Sequence, residues 1–332
     1  MTQKGDIDGG PIELVAYEDW MFEGAVALEL RAYGKGVAAT EASLHWRLAH
    51  PLARRHGIAV AAIRGREVVG LQTWMPWFYR LGAREFRSAQ SGGSVIHESC
   101  RRQGLFLRLL KFGAVLARER EVDFFTGFPI VASYGALLRD GWAKVAEPRW
   151  WIAPGRPDAA LSAAAAGASG CHGFGVPVEG CRKWSTRAER RFVLSEDPEF
   201  VAWRYGGSRA GDYRSFHHDV PGGTSRFIVR MGRRRGFSEA LLVDWQTTCR
   251  GVVANARALL ALRAALFRSG LGAVVTLLLH SGRERIMPRC LLAAGFVPTW
   301  KTARFLVKDL RDTPSVFDPE CWTLMARDMD TG

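Results

Sequence analysis

Along this 332-residue chain the apolar positions recur with two different periods, and the switches between them outline the elements. Residues 12–16 (IELVA) form a short apolar run that predicts a strand. Residues 20–33 carry apolar side chains at helical spacing, and residues 40–55 repeat that spacing with Thr40 placed as a cap. Three alternating runs follow at 58–64, 67–77 and 85–96, with Gly65 and Gly82 in the turns, the pattern of an antiparallel meander. The strongest helical pattern spans 100–119, where Leu105, Leu109, Phe112 and Leu116 share a face. A strand at 123–128, a short helix at 133–139, Gly141 and a strand at 143–152 complete the order β-α-α-β-β-β-α-β-α-β.

Residues 153–185 break the periodicity. They are rich in Ala, Gly and Pro and read as a linker with one helical turn. Beyond them the same kinds of run return: strands at 225–229 and 237–245, a helix at 252–267, a strand at 273–279, a helix at 287–294 and a strand at 301–307. Trp46-Arg47 precedes Gly141-Trp142 at nearly the separation by which Trp203-Arg204 precedes Gly295-Phe296, so the halves read as two copies of one unit. The predicted fold class is α/β, of the α+β mixed-sheet kind. It comprises a domain at 1–152, the linker, and a second, degenerate domain at 186–332, each a mostly antiparallel sheet flanked by helices.

Composition narrows the function classes. With 48 % hydrophobic residues the chain has material for packed cores. No apolar run reaches the roughly 18–20 residues that span a bilayer, and the opening MTQKGDIDGG has no apolar stretch, so a cytoplasmic protein is expected. The six cysteines at 100, 171, 181, 249, 290 and 321 form no C-x-x-C pair, which argues against zinc and fits reduced thiols. Cys171 and Cys181 remain a pair able to bridge in an oxidising setting. A net charge of +13 attracts polyanions, including nucleic acid and phosphorylated cofactors, but the arginines are dispersed and form no basic arm. Arg233-Arg234-Arg235 reads as a solvated hairpin turn. The Trp74/Trp77/Phe78/Tyr79 cluster reads either as the wall of an acceptor pocket or as core.

The most informative segment is Ser94-Val95-Ile96-His97-Glu98-Ser99-Cys100-Arg101-Arg102-Gln103-Gly104-Leu105-Phe106. It leads from a strand through a tight turn into a helix. The first amides of a helix lack internal partners and carry partial positive charge, and a Gly there lets a ligand reach the backbone. With Arg101 and Arg102 beside it, the turn reads either as a diphosphate cradle or, taken alone, as an ordinary strand-to-helix junction. The segment HESCRRQGLFLRLLK resembles the cofactor motif of the GNAT superfamily of coenzyme-A-dependent N-acetyltransferases, and FFTGFPIVASYGALLRDGWAKV resembles its second motif, closed by Gly141-Trp142. The element order over 10–152 matches that family well, and 186–310 matches it weakly, as in bacterial tandem proteins of this kind.

The resemblance implies an acyl-CoA co-substrate, acetyl-CoA or another, and no metal. It places the diphosphate on the amides of Arg102, Gln103, Gly104, Leu105 and Phe106, and pairs the pantetheine arm with the strand edge at Ser94, Val95 and Ile96. The Val95 N–H is expected to polarise the thioester carbonyl. The partner is a small-molecule amine, an amino sugar among the classes, with no specific nucleic acid. Three positions depart from the pattern: Phe106 stands where a small residue is usual, Ile130 where Asn is, and Leu137 where a Tyr often protonates the thiolate. Tyr134 and Ser133 are the substitutes for that Tyr. His97 and Glu98 are the candidate bases, since Gly93 stands where some relatives carry a carboxylate. The second half has no Arg-x-x-Gly turn in 244–251, so a single cofactor site is expected. The alternatives are an inactive binding or regulatory module on this fold, and an acyltransferase for longer chains or protein lysine.

Overall fold

The structure, a computed structural model, describes residues 10–34, 36–155, 172–176, 191–206, 213–220, 223–234, 237–268, 271–279 and 286–329. The first half opens with β1 (Glu13–Ala16), then α1 (Phe22–Tyr33), α2 (Val37–Leu44) and α3 (Pro51–His56). The predicted helix at 40–55 is thus two helices joined by a π-turn at His45–Ala49. Pro51 forces the break: it cannot extend a helix from inside, but it suits a first turn. Thr40 is no cap, because the helix already begins after Gly36 and the Thr40 hydroxyl donates to the Gly36 carbonyl at 3.2 Å.

The meander is present as β2 (Ile58–Arg64), β3 (Glu67–Pro76), a small hairpin of β4 (Tyr79–Leu81) and β5 (Arg84–Phe86), and β6 (Ser88–Ile96). The strongest helix, α4 (Leu105–Glu119), starts five residues later than its periodicity predicts. A 3-10 turn at Glu98–Cys100 and an exposed turn precede it. Leu105 and Leu109 are buried as expected, while Phe112 and Leu116 are partly buried at the edge of the same core. Next come β7 (Phe124–Gly127) and α5 (Val131–Arg139). The strand predicted at 143–152 is two strands, β8 (Ala143–Ala146) and β9 (Arg149–Pro154), which enter different sheets.

The described part of the 153–185 stretch holds a strand, β10 (His172–Val176), paired to β12 (Tyr213–Val220), rather than a plain tether. Cys171 and Cys181 lie outside the described residues. The second half continues through β11 (Phe192–Leu194), α6 (Pro198–Gly206), β13 (Gly223–Arg234), β14 (Phe237–Thr247), α7 (Val252–Arg268), β15 (Ala273–Leu278), α8 (Ile286–Ala293), β16 (Val297–Thr302) and β17 (Phe305–Asp309). Arg233 is exposed near the end of β13, opposite Ser238 of β14, and Arg235 lies outside the described residues.

Two seven-stranded mixed sheets result, β1-β2-β3-β6-β7-β17-β8 and β10-β12-β13-β14-β15-β9-β16. They exchange strands. β17 from the second half lies between β7 and β8, and β9 from the first half lies between β15 and β16. The repeat seen in the sequence has a physical counterpart where the halves meet. Trp46 and Trp203 stack with ring centroids 4.6 Å apart and planes 4° from parallel. Each indole N–H donates to the other residue's carbonyl, at 2.8 and 3.1 Å. The Gly-aromatic pairs are matching helix ends. Gly141 and Gly295 take left-handed conformations, and the Trp142 and Phe296 amides reach back to Leu137 and Leu291 at 3.1 and 2.9 Å.

Trp74, Trp77 and Tyr79 belong to the core, which decides between the two readings of that cluster. Trp74 stacks on Phe125 and packs so closely on α4 that a Cβ at Gly113 would fall 2.2 Å from its ring. Trp77 meets Phe200 and Trp203 edge-on, and Tyr79 meets Trp322, so these rings cement the halves together. Beneath Tyr79 the C-terminal turn Ala326–Asp328 is buried, with Arg327 paired to Asp244 at 3.1 Å. Burial pushes the Asp328 carboxyl up to about 6 from 3.8, although Arg327 and the Met325 amide pull it down. Between those values the folded chain keeps a proton that the unfolded chain has shed. The stability from this group is therefore complete below 3.8 and lost as pH rises to about 6. Asp328→Asn should remove that dependence, so the melting temperature of wild type should fall relative to the variant between those pH values. Parallel curves for the two proteins would refute the assignment.

Candidate functional site

β6 and β7 pair in parallel from Ser88↔Phe124 to Ser91↔Gly127, and there β7 ends. β6 runs on to Ile96 with only β3 beside it, so the strands part and leave one edge of β6 open. A bulge sits at the fork, since the register passes from Thr73↔Gly92 to Leu71↔Val95 with one extra residue in β6. Gly93 supplies it at φ +63. A Cβ at Gly93 would lie 1.5 Å from Nη1 of Arg47, whose guanidinium fills the space a side chain would need. Arg47 is buried and paired with buried Glu29 at 2.6 Å. No carboxylate fits at position 93 while this pair is in place.

The fork holds a cavity of about 510 Å³. Of the residues expected at the cofactor, Ser94, Val95, Ile96, Arg101 and Phe106 line it, and Ser133 lines it from α5. Ile130 at the N-cap of the same helix and Leu137 within it line it as well, and Ala32 and Tyr33 line it from the end of α1. The His97 amide donates to Val69 of β3 at 2.8 Å, which fixes the alternation along β6. Val95 therefore turns its amide to Leu71 of β3, while Ser94 and Ile96 turn theirs away from β3. This corrects the expectation for Val95: its N–H is spent within the sheet, and the open-edge groups are those of Ser94 and Ile96. Their carbonyls are held by side chains. Tyr33 Oη donates to Ser94 O at 2.7 Å, and Arg101 Nε donates to Ile96 O at 3.1 Å.

At the mouth of α4 the exposed turn Arg101, Arg102, Gln103, Gly104 bends through left-handed Arg102 (φ 63) and Gly104 (φ 72). Gly104 is the N-cap. It has no side chain to satisfy the first amides, and nothing lies within 4 Å of where its Cβ would be. Leu105 and Phe106 follow it in the first turn, at the positive end of a 15-residue helix, where amides have no partner within the helix.

The catalytic candidates divide. Ser133 lines the cavity, but its hydroxyl donates to Ile130 O at 3.3 Å. Tyr134 is not among the lining residues, and its ring lies under the Arg304 guanidinium at 4.7 Å. His97 is buried and also outside the lining, with Nε2 against Arg31 and Nδ1 2.8 Å from the Ser99 hydroxyl. It caps the 3-10 turn. Glu98 lies in that turn and does not line the cavity. Leu137 is buried where a phenol was looked for. Among the described residues no group of three or more His, Cys, Asp or Glu is placed to hold a metal ion. Nor is any described helix long and apolar enough to cross a membrane.

No family model and no curated protein matches the sequence. Solved structures do match. A GCN5-related N-acetyltransferase from Anabaena variabilis superposes with TM-score 0.61 at 13 % identity, covering 91 % of this chain and 73 % of its own. A tandem GNAT protein from the clavulanic acid biosynthesis pathway gives 0.54 at 15 %, covering 91 % of this chain and 100 % of its own. N-myristoyltransferase of Saccharomyces cerevisiae with bound myristoyl-CoA gives 0.57 at 12 %, with 96 % and 84 % covered. The fold is that of the GNAT acetyltransferases.

Within this GNAT fold the two halves treat their forks differently. In the second half β14 and β15 pair from Glu239↔Ala273 to Leu242↔Thr276, and β14 then runs on alone beside β13. There the chain's own segment Leu324–Asp328 bridges the gap, with Leu324 O accepting from Leu279 N, Met325 bridged to Leu278, and Arg327 paired to Asp244. The turn before α7 is short and closed on itself, for Asn255 Nδ2 donates to both Cys249 O and Gly251 O. The fork of the second half is filled by protein; that of the first is a cavity. Sequence reasoning missed Tyr33, Glu29 and Arg47, and only the Trp46-Arg47 pair pointed to any of them.

Proposed function

We propose that this chain is an acyl-CoA-dependent N-acyltransferase, working in the cytoplasm, that passes an acetyl group to an amine of a small molecule, with amino sugars a class to test. The observation that carries this reading is the open edge of β6 along a cavity of about 510 Å³, which Arg101 and Phe106 line from either side of the turn into α4, while Arg102, Gln103, Gly104 and Leu105 are not among its lining. An acyl-CoA has the matching parts: an amide-bearing arm for the edge at Ser94 and Ile96, and a diphosphate for Arg101, Arg102, Gln103, Gly104, Leu105 and Phe106. The thioester supplies an activated acyl carbon. The protein contributes placement of the two reactants and donors toward the carbonyl oxygen. The 1–152 unit carries the site, and the 186–332 unit braces it through the Trp46–Trp203 stack and strand β17.

The absence of a phenol at Leu137 and of a carboxylate at Gly93 favours a second reading, a module that binds acyl-CoA without transferring the acyl group. Two measurements separate the readings. Acetyl-CoA should raise the melting temperature, because a ligand that binds only the folded state stabilises it by mass action. Free thiol should then appear with some member of a panel of small amines. A melting shift with no thiol release from any amine supports the module; no melting shift at all refutes both.

A further inference from the structure

Resting on the acyltransferase reading, we propose that Tyr33 at the end of α1 is the group that protonates the departing thiolate. Its hydroxyl is the one aromatic hydroxyl lining the cavity among the described residues. The alternatives on α5 are unsuited: Leu137 has no proton to give, Tyr134 lies outside the cavity under Arg304, and the Ser133 hydroxyl is turned to the Ile130 carbonyl. Tyr33 reaches the cavity from the opposite side of β6, and its proton points at the open edge, 2.7 Å from Ser94 O. A thioester arm lying along that edge takes the Ser94 carbonyl for its own amide, which frees the phenol proton for the neighbouring sulfur.

The step balances. The amine lone pair attacks the thioester carbonyl carbon, the C–N bond forms, and the C–S bond breaks with its electrons on sulfur. The Tyr33 proton passes to sulfur, and the proton shed by the attacking nitrogen returns through solvent to the Tyr33 oxygen. Three charged groups act on the phenol: Glu29 one turn earlier on α1, Arg47 from the π-turn, and Arg101 from the turn after β6. Burial and Glu29 raise its pKa against the two arginines, so at neutral pH Tyr33 holds a proton and serves as an acid rather than a base.

The test compares wild type with Tyr33→Phe, using acetyl-CoA with hydroxylamine as the acceptor and following free thiol above the uncatalysed rate. Tyr33 is about half exposed, and Phe keeps its packing. The acetyl-CoA melting shift should survive in the variant while kcat falls about 100-fold, within the usual range for a lost general acid. The wild-type fall in kcat at alkaline pH, as Tyr33 loses its proton, should be missing from the variant. An unchanged kcat and pH profile overturns the proposal. So does loss of the melting shift in the variant, which makes Tyr33 a binding residue, and so does a wild type that binds acetyl-CoA but releases no thiol. Absence of a melting shift in the wild type itself strikes instead at the acyltransferase reading.

Discussion

Gly104→Asp should abolish the rise in melting temperature that the proposed acyl-CoA site predicts for the wild-type protein in acetyl-CoA. The position offers room, since nothing lies within 4 Å of the new Cβ. An Asp at an N-cap accepts hydrogen bonds from the first-turn amides and is worth about 1 kcal/mol to a helix. Here the left-handed backbone at φ 72 opposes that gain with a cost of about 1–2 kcal/mol. The free protein should therefore melt near the wild-type temperature, and the variant is a test of binding rather than of folding. Its carboxylate would repel a diphosphate at the proposed site. At a ligand concentration about 100 times Kd, wild type gains about 2.7 kcal/mol. The variant should gain none of it in a thermal melt. An equal shift in both proteins would remove the diphosphate from the mouth of α4.

Arg47→Ala should cost about 3–5 kcal/mol, because removing one member of a buried ion pair strands the other. Glu29 and Arg47 are each nearly inaccessible, and Arg47 also donates to Ser43 O at 3.3 Å. The double variant Glu29→Gln/Arg47→Met should recover much of the loss, since no lone charge is left behind. Urea denaturation of the three proteins decides the point, and a double variant no more stable than Arg47→Ala would contradict it. The same guanidinium underlies Gly93, so the pair fixes the bulge that starts the open edge.

What could be read in advance was whatever rests on local chemistry. The meander, α4 and the turn into it follow from period, Gly placement and charge within a few residues of one another. The repeat was legible because its marks, Trp-Arg and Gly-aromatic, are short and fixed by caps and by one stack. The misreadings have equally local causes. The resemblance implies a role for the Val95 amide, but the bulge sets the alternation beyond Gly93 and leaves the open edge to Ser94 and Ile96. Leu105 rather than Cys100 begins α4 because the left-handed backbone at Arg102 and Gly104 cannot belong to a right-handed helix.

Tyr33 could not be found that way. Its partner Ser94 lies 61 residues off, and a helix read alone shows its face but not what its last residue meets. The strand crossovers were hidden for the same reason: Pro148 marks the break within 143–152, but only tertiary pairing sends β8 and β9 into different sheets. His97 and Glu98 drew notice as ionisable groups near the motif, but sequence proximity did not bring them to the cavity.

The placement of β17 between β7 and β8 has a bearing on how the molecule is made. A nascent polypeptide leaves the ribosome amino end first, so the strand that closes over β7, beside the fork, emerges long after β7 itself. Until it docks, β7 presents an unpaired margin, the kind of surface that recruits chaperones or neighbouring chains. The first sheet should therefore be complete only after synthesis has passed residue 309, and cutting the gene between the halves should yield two insoluble fragments.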